Sequence, residues 1–199
     1  MTKAGVMGGS ALAHSSPSLQ DVFISVYGCR KFHPFAPRLE EIDITAIAVM
    51  MSQTPRFGGS LNQDYSLAQH CVLVASQVSE PFQLCALLHD AHEVLDGLGD
   101  VLAPVKQHFP ELVAHGHNVQ LAIAERFGFP WPMPDEVKRA DELLGWTEMR
   151  DFGLGGHVPA GAPVLQERLE AWPREEVLQA FLDMFNTLTQ FSADPSGSL

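Results

Sequence analysis

Apolar residues recur at helical spacing along most of the chain, and strand-like alternation is rare. Apolar side chains three and four residues apart predict an amphipathic helix. Residues 22–27 are β-branched and aromatic, and they predict a lone strand or an extended arm. The prolines of residues 32–37 predict extended backbone there. The fold class expected is therefore all-α, a helical bundle with a short extended N-terminal arm. The predicted helices cover residues 44–51, 64–78, 81–94, 110–127, 135–150 and 174–190.

Two residues mark helix ends by their chemistry. Asp43 precedes the first helix and is a typical N-cap, and Gly128 follows the fourth helix as a typical C′ residue. Residues 1–18 are rich in Gly, Ala and Ser with little periodicity, which predicts a flexible tail. Residues 19–199 are expected to form a single domain.

Composition narrows the choice of partners. The chain has 199 residues, 46% of them hydrophobic, and a net charge of −12, so a nucleic-acid polymer is not expected as a partner. A small anion can still bind where a metal and a few cations reverse the local field. The three cysteines (Cys29, Cys71 and Cys85) form no close pair and predict reduced thiols in a cytoplasmic protein. No apolar stretch predicts a signal peptide or a membrane span.

The apolar helix predicted over residues 81–94 ends in metal-type ligands. On a continuous helix, at about 100° per residue, His89, Asp90 and Glu93 share one face. That geometry suits a metal held by His89 and Asp90 with Glu93 as an acid or base beside it. The alternative is structural: His89 caps a buried helix and Asp90 pairs with a nearby cation.

Two more polar residues lie on the apolar faces of other predicted helices. His70 lies three residues after Leu67, and Asp141 lies four after Val137. Each has a structural alternative, a hydrogen-bonded core histidine or a buried ion pair. Taken together with His89 and Asp90, however, they offer two imidazoles and two carboxylates from three helices. Such a set suits one divalent Zn, Mn, Fe, Co or Ni ion with open positions for water or a phosphate oxygen.

The order of these ligands resembles that of the HD-domain metal-dependent phosphohydrolases. The resemblance extends over about residues 27–190 and is closest to the compact bacterial and phage members, which include deoxyribonucleoside 5′-monophosphatases and phage dATP triphosphohydrolases. It implies an HD-domain helical bundle and hydrolysis of nucleotide phosphoesters. The stretches that carry it are residues 28–37, 41–44, 56–59, 65–70, 86–93, 99–100, 104–106 and 137–141.

The resemblance also implies roles for individual residues. Glu93 matches the carboxylate that activates the attacking water, and Asp100 matches a second catalytic acid. The loop between them is about two residues longer than is usual, which leaves Asp96 as a competitor for Asp100. Arg56 matches an arginine that contacts phosphate, and Phe57 an aromatic residue, often Trp, that packs on the sugar or base. The residues that match the metal ligands are His70, His89, Asp90 and Asp141.

Two lysines extend the candidate substrate site. Lys138 lies three residues before Asp141 on roughly the same helical face, and Lys106 follows Pro104-Val105. Each is expected either to reach a phosphate beside the metal or to be a solvated surface charge.

The activity expected is metal-dependent hydrolysis of deoxynucleotides, with Mg²⁺ on the substrate phosphates left open. The choice leans to a triphosphohydrolase that releases nucleoside and triphosphate, with a 5′-monophosphatase as the alternative. A cyclic-nucleotide or alarmone hydrolase and a non-catalytic nucleotide-binding domain are more distant alternatives. The resemblance also implies a homo-oligomer.

Overall fold

The computed structural model describes residues 18–191, and over that range the protein is all-α, as expected. The predicted flexible tail lies almost wholly outside the described residues, as do the last eight residues of the predicted domain. The described helices are α1 (Ile44–Gln53), α2 (Leu67–Ser76), α3 (Glu80–Leu88), α4 (Ala103–Lys106), α5 (Pro110–Phe127), α6 (Asp135–Asp151) and α7 (Arg174–Phe191).

Both predicted helix-end signals act as expected. The Asp43 side chain accepts a hydrogen bond from the backbone N–H of Ala46 at the start of α1. Gly128 takes the left-handed conformation, φ 75°, directly after α5. Helix α2 begins at Leu67 rather than near Asp64, because Ser66 is its N-cap and accepts a hydrogen bond from the N–H of Gln69.

The prediction that helix α3 continues to Val94 is wrong. The α-helix ends at Leu88, and the chain continues as a 3₁₀ turn over Ala91–Val94. The cause is the buried side chain of Gln120 on α5, which donates to the Leu88 carbonyl at 2.7 Å and accepts from the His92 N–H at 3.1 Å. These two backbone groups would pair with each other in a continuing α-helix. The Gln120 amide therefore takes the place of that hydrogen bond and turns the chain at Asp90.

The N-terminal arm is a hairpin rather than a lone strand. Strand β1 (Ile24–Val26) pairs antiparallel with β2 (Arg30–Phe32), with Ser25 opposite Lys31. The expected extended backbone of residues 32–37 is interrupted, because the Ala36 N–H donates to the His33 carbonyl in a turn.

Helix α2 lies at the centre of the bundle. It packs against α1, α3, α6 and α7, while α5 packs against the 3₁₀ turn over Ala91–Val94. This arrangement buries His70 completely and brings the end of α3 beside the first half of α6. Within residues 18–191, no helix is long and apolar enough to cross a membrane.

Replacing Gln120 with leucine is expected to destabilise the fold. The variant keeps most of the side-chain volume but leaves the Leu88 carbonyl and the His92 N–H without their partner. A buried unpaired polar group costs about 1–3 kcal/mol. Urea unfolding of Gln120→Leu should therefore show a clear loss of free energy, whereas Gln107→Leu, at an exposed glutamine, should lie close to the parent. Equal stability of the two variants would contradict the proposed cause of the helix end.

Candidate metal centre

Three predicted ligands come together in the core. One ligand atom from each of His70, His89 and Asp90 lies within 4.8 Å of the others, so this group could hold a metal ion. His70 lies in the middle of α2, and His89 and Asp90 follow the last residue of α3. Asp141 on α6 completes the predicted set, because its Oδ1 lies 3.0 Å from His70 Nε2 and 3.8 Å from His89 Nε2.

The two histidines present the same ring nitrogen to this group. His70 Nδ1 lies 2.6 Å from a Glu148 oxygen, and His89 Nδ1 lies 2.7 Å from the Ala86 carbonyl. Because both partners are acceptors, each Nδ1 carries a proton, and each Nε2 is the ring nitrogen left to bind a metal. Both Nε2 atoms are buried and face carboxylate oxygens, which lie 3.0 Å away for His70 and 3.3 Å away for His89. Nitrogen and carboxylate ligands in this arrangement fit a divalent transition metal.

The charges of the group support the same interpretation. Burial alone would raise the pKa of Asp90, but His89 and Arg56 outweigh it and hold the pKa well below its usual range. Burial acts the same way on Asp141, and hydrogen bonding to the two histidines again lowers the pKa strongly. Both carboxylates are therefore ionised at neutral pH, as metal ligands must be.

Glu93 lies beside the ligands in a buried position. Its Oε1 accepts a hydrogen bond from Lys106 Nζ at 2.8 Å, while its Oε2 is buried without a partner. Burial raises the pKa of Glu93 to about 8, and the negative charges of Asp90 and Asp100 contribute to the rise against Lys106. Glu93 is thus a carboxyl group that titrates near neutral pH, a property common in acid–base catalysts.

Of the two competing acids, the structure brings Asp100 to the group. Burial raises the pKa of Asp100, and the charges that act on it belong to Arg56, Asp90, Lys106 and His70. Its Oδ2 is buried and has no partner.

Asp96 faces away from this group, toward α5. Its Oδ1 accepts a hydrogen bond from the Leu98 N–H at 2.8 Å, which makes it a turn residue. Its Oδ2 approaches Gly116, where a Cβ would lie 3.8 Å from it and 2.7 Å from the His92 ring. Asp96 therefore stabilises the start of the loop, and Gly116 leaves the space that His92 occupies.

Arg56 and Phe57 lie on a strained turn over Arg56–Gly59. Phe57 has φ 53° and Gly58 has φ 58°, so both residues have left-handed backbone. This conformation is easy for glycine but costs energy at Phe57. Arg56 Nη1 lies 3.6 Å from Asp90, and its guanidinium lies 5.2 Å from the Phe57 ring centre. The turn thus brings a cation and an aromatic ring to the edge of the ligand group.

Of the two candidate lysines, one lies at the candidate site and the other does not. Lys106 reaches the group through its ion pair with Glu93. Lys138 is exposed, and its Nζ donates to Asp135 at 3.0 Å. The structure therefore does not bring Lys138 to the candidate site, although its predicted helical face was close to that of Asp141.

Glu148 and Gln120 are two residues of the site that the sequence patterns do not single out. Glu148 is fully buried and accepts hydrogen bonds from His70 Nδ1, from Tyr65 and from Arg56. It lies seven residues after Asp141, two turns along the same face of α6, which is the one sequence signal that could have found it. Nothing in the sequence near Gln120 indicates its contact with α3.

The fold and this group of side chains define an all-α protein with a candidate metal centre. No family model matches the chain. It is 36% identical over 132 residues to the uncharacterized protein YfdR of Escherichia coli K12, an alignment that covers 66% of this chain and 73% of YfdR. An uncharacterized protein of Rhodobacter capsulatus is 33% identical over 121 residues, with 56% of this chain and 61% of that protein covered. The chain therefore belongs to the same family as YfdR.

The raised pKa of Glu93 predicts how stability depends on pH. Between its ordinary value of 4.5 and its folded value of about 8, the folded protein keeps a proton that the unfolded chain has lost. The stabilisation from this group is present below the lower value and is lost as the pH rises toward the upper one. In urea unfolding of the metal-free protein at pH 5, 6.5 and 8, Glu93→Gln should lose less stability with rising pH than the parent.

The control for this series is Glu125→Gln, which removes an exposed carboxylate on α5 and should keep the parent's pH dependence. A Glu93→Gln variant whose stability falls with pH as steeply as that of the parent would show that Glu93 is ionised throughout.

Proposed function

We propose that the protein is a metal-dependent phosphohydrolase of the HD superfamily that acts on deoxynucleotides. The observation that supports the proposal is the convergence of the buried Nε2 atoms of His70 and His89 on the carboxylates of Asp90 and Asp141, which brings two imidazole and two carboxylate ligands together.

The four ligands would hold the metal, and Glu93 would act on the attacking water. A bound divalent metal lowers the pKa of water and polarises a phosphoryl oxygen. With a divalent charge nearby, the pKa of Glu93 would fall, and its carboxylate could then accept a proton from the attacking water. Lys106, 2.8 Å from Glu93, keeps the carboxylate in place and balances part of its charge.

The substrate would bind between the turn that carries Arg56 and the loop that carries Asp100 and Lys106. The Arg56 guanidinium offers planar paired donors that suit phosphate. Phe57 beside it offers a ring for the sugar or base. Asp100, with a buried free oxygen, is positioned to accept a hydrogen bond from a substrate hydroxyl or to assist proton transfer.

The substrate we favour is a deoxynucleoside triphosphate cleaved to nucleoside and triphosphate, with a 5′-monophosphate as the alternative. This choice follows from the resemblance of residues 56–59 and of the N-terminal arm to the phage enzymes. The absence of a membrane-spanning helix in the described part and the unpaired state of Cys29, Cys71 and Cys85 agree with a proposed cytoplasmic location. A homo-oligomer is also proposed from the resemblance.

The test is an assay of purified protein loaded in turn with Co²⁺, Mn²⁺ and Zn²⁺ against all deoxynucleoside tri- and monophosphates. We expect release of nucleoside from at least one of them, with triphosphate or phosphate as the second product. Cyclic and pyrophosphorylated nucleotides complete the panel. No turnover of any substrate by a metal-loaded sample would overturn the proposed activity, and nucleotide binding without turnover would favour a non-catalytic domain.

Three carboxylate variants separate the proposed roles of the acids. Glu93→Gln should lower kcat by about 10²–10⁴-fold, the usual contribution of a general base, while it still binds metal. Asp100→Asn should also lower kcat/KM strongly, whereas Asp96→Asn, its matched control, should affect stability more than turnover. If Asp96→Asn were the more damaging variant for turnover in a folded protein, the longer loop would deliver Asp96 to the substrate instead.

A further inference from the structure

Glu148 is a fully buried carboxylate that contacts both a candidate metal ligand, His70, and the candidate phosphate-binding residue, Arg56. We propose that Glu148 is a positioning residue that fixes the ring of His70 for metal binding and shares the charge of Arg56 with Asp90. The inference rests on the metal centre of the proposed function but not on the hydrolysis of any substrate.

The contacts of Glu148 divide between its two oxygens. Oε1 accepts from His70 Nδ1 at 2.6 Å and from the Tyr65 hydroxyl at 2.9 Å. Oε2 accepts from Nε and Nη2 of Arg56, both at 3.4 Å. The Glu148 side chain is fully buried, so solvent water does not compete for these hydrogen bonds. An ionised carboxylate only accepts hydrogen bonds, and four donor groups therefore converge on it.

The first consequence concerns His70. Because Glu148 cannot donate, His70 Nδ1 must carry a proton, and Nε2 is the ring nitrogen that faces Asp141 and is left for the metal. A charged acceptor on the far nitrogen also makes the metal-facing nitrogen more basic, as in known carboxylate–histidine–metal arrangements. His89 provides an internal comparison, because its Nδ1 donates to the neutral carbonyl of Ala86 at 2.7 Å.

The second consequence concerns Arg56, whose side chain is only 13% exposed. A guanidinium in so buried a position needs carboxylate partners. Within residues 18–191, Arg56 forms ion pairs with Glu148 at 3.4 Å and with Asp90 at 3.6 Å. Without the charge of Glu148, Arg56 would pair more closely with Asp90 and compete with the metal for that ligand. Glu148 thus leaves Asp90 available to the metal.

The central experiment measures metal affinity in Glu148→Gln. The glutamine keeps the shape and can still accept from His70, but it is neutral and turns an N–H group toward Arg56. We expect Co²⁺ affinity, measured by calorimetry or by competition with a chromogenic chelator, to fall by about 10–100-fold. Adding Arg56→Gln to Glu148→Gln should restore part of that affinity, because the competing cation is then absent. Unchanged Co²⁺ affinity in folded Glu148→Gln would overturn the proposal.

A second measurement determines which ring nitrogen of each histidine binds the metal and which carries a proton. In the Zn²⁺-loaded parent, nitrogen NMR should find His70 bound to metal through Nε2, with a strongly hydrogen-bonded proton on Nδ1. In Glu148→Gln the Nδ1 proton signal of His70 should move toward that of a weaker hydrogen bond, while the His89 signals stay in place. Metal bound to Nδ1 of His70 in the parent would overturn the proposal without need of any variant.

Two controls keep the outcomes distinct. Glu142→Gln removes an exposed carboxylate from the same helix and should bind Co²⁺ as the parent does. Tyr65→Phe removes one donor to Glu148 and should change the affinity only slightly.

None of these readouts involves a nucleotide, so a parent that binds metal but hydrolyses nothing would contradict the proposed activity and leave the role of Glu148 intact. Loss of affinity in Glu142→Gln equal to that in Glu148→Gln would show that charge on α6, rather than the contacts of Glu148, sets metal binding.

Discussion

The insertion of Gln120 between the Leu88 carbonyl and the His92 N–H determines the geometry of the candidate site. Helix α3 delivers an apolar face to the core, and the same helix, if it continued, would carry Asp90 and Glu93 along a straight axis. The Gln120 amide satisfies the two backbone groups at the break, so the chain can leave the helix without the cost of unpaired buried groups. The result is that His89 ends the helix, Asp90 turns toward His70, and Glu93 returns toward Lys106 on a tight 3₁₀ turn.

The second constraint is the cost of buried charge. Asp90 and Glu148 both lie beside Arg56, and Glu93 lies beside Lys106. A group with excess negative charge in a low-dielectric interior is unfavourable unless a cation is supplied. The pKa of Glu93 is raised mainly by burial, and the negative charges of Asp90 and Asp100 add to the rise. A divalent ion at His70, His89 and Asp90 would remove the imbalance, which connects the protonation of Glu93 with metal binding.

Much of the fold could be predicted from the sequence, because the helices are amphipathic and their ends carry recognisable caps. Asp43 and Gly128 act locally, and local chemistry is readable from one chain. The end of α3 could not be predicted, because it depends on a side chain 32 residues away from Leu88. Glu148 was missed for a similar reason: a glutamate in a helix is ordinary in sequence, and only its distance from His70 gives it a role. Helical spacing could not decide between the two expectations for Lys138, since a long exposed side chain follows the nearest acid rather than the direction of its Cβ.

The candidate site has two halves, the metal ligands and the residues proposed to bind substrate, and the backbone differs between them. Three of the candidate ligands (His70, His89 and Asp141) lie on or at the end of regular helices, and Asp90 follows His89 where the chain turns. Arg56 and Phe57 instead lie on a turn with left-handed backbone at Phe57, and Asp100 and Lys106 follow a loop with glycines at φ 82° and 76°. Regular elements hold a metal geometry within narrow limits, whereas turns and loops adjust to a bound molecule. Glu148 connects the two halves, because its two oxygens contact His70 on the regular side and Arg56 on the adjustable one. Binding at the turn and binding at the metal are therefore expected to influence each other through a single buried carboxylate.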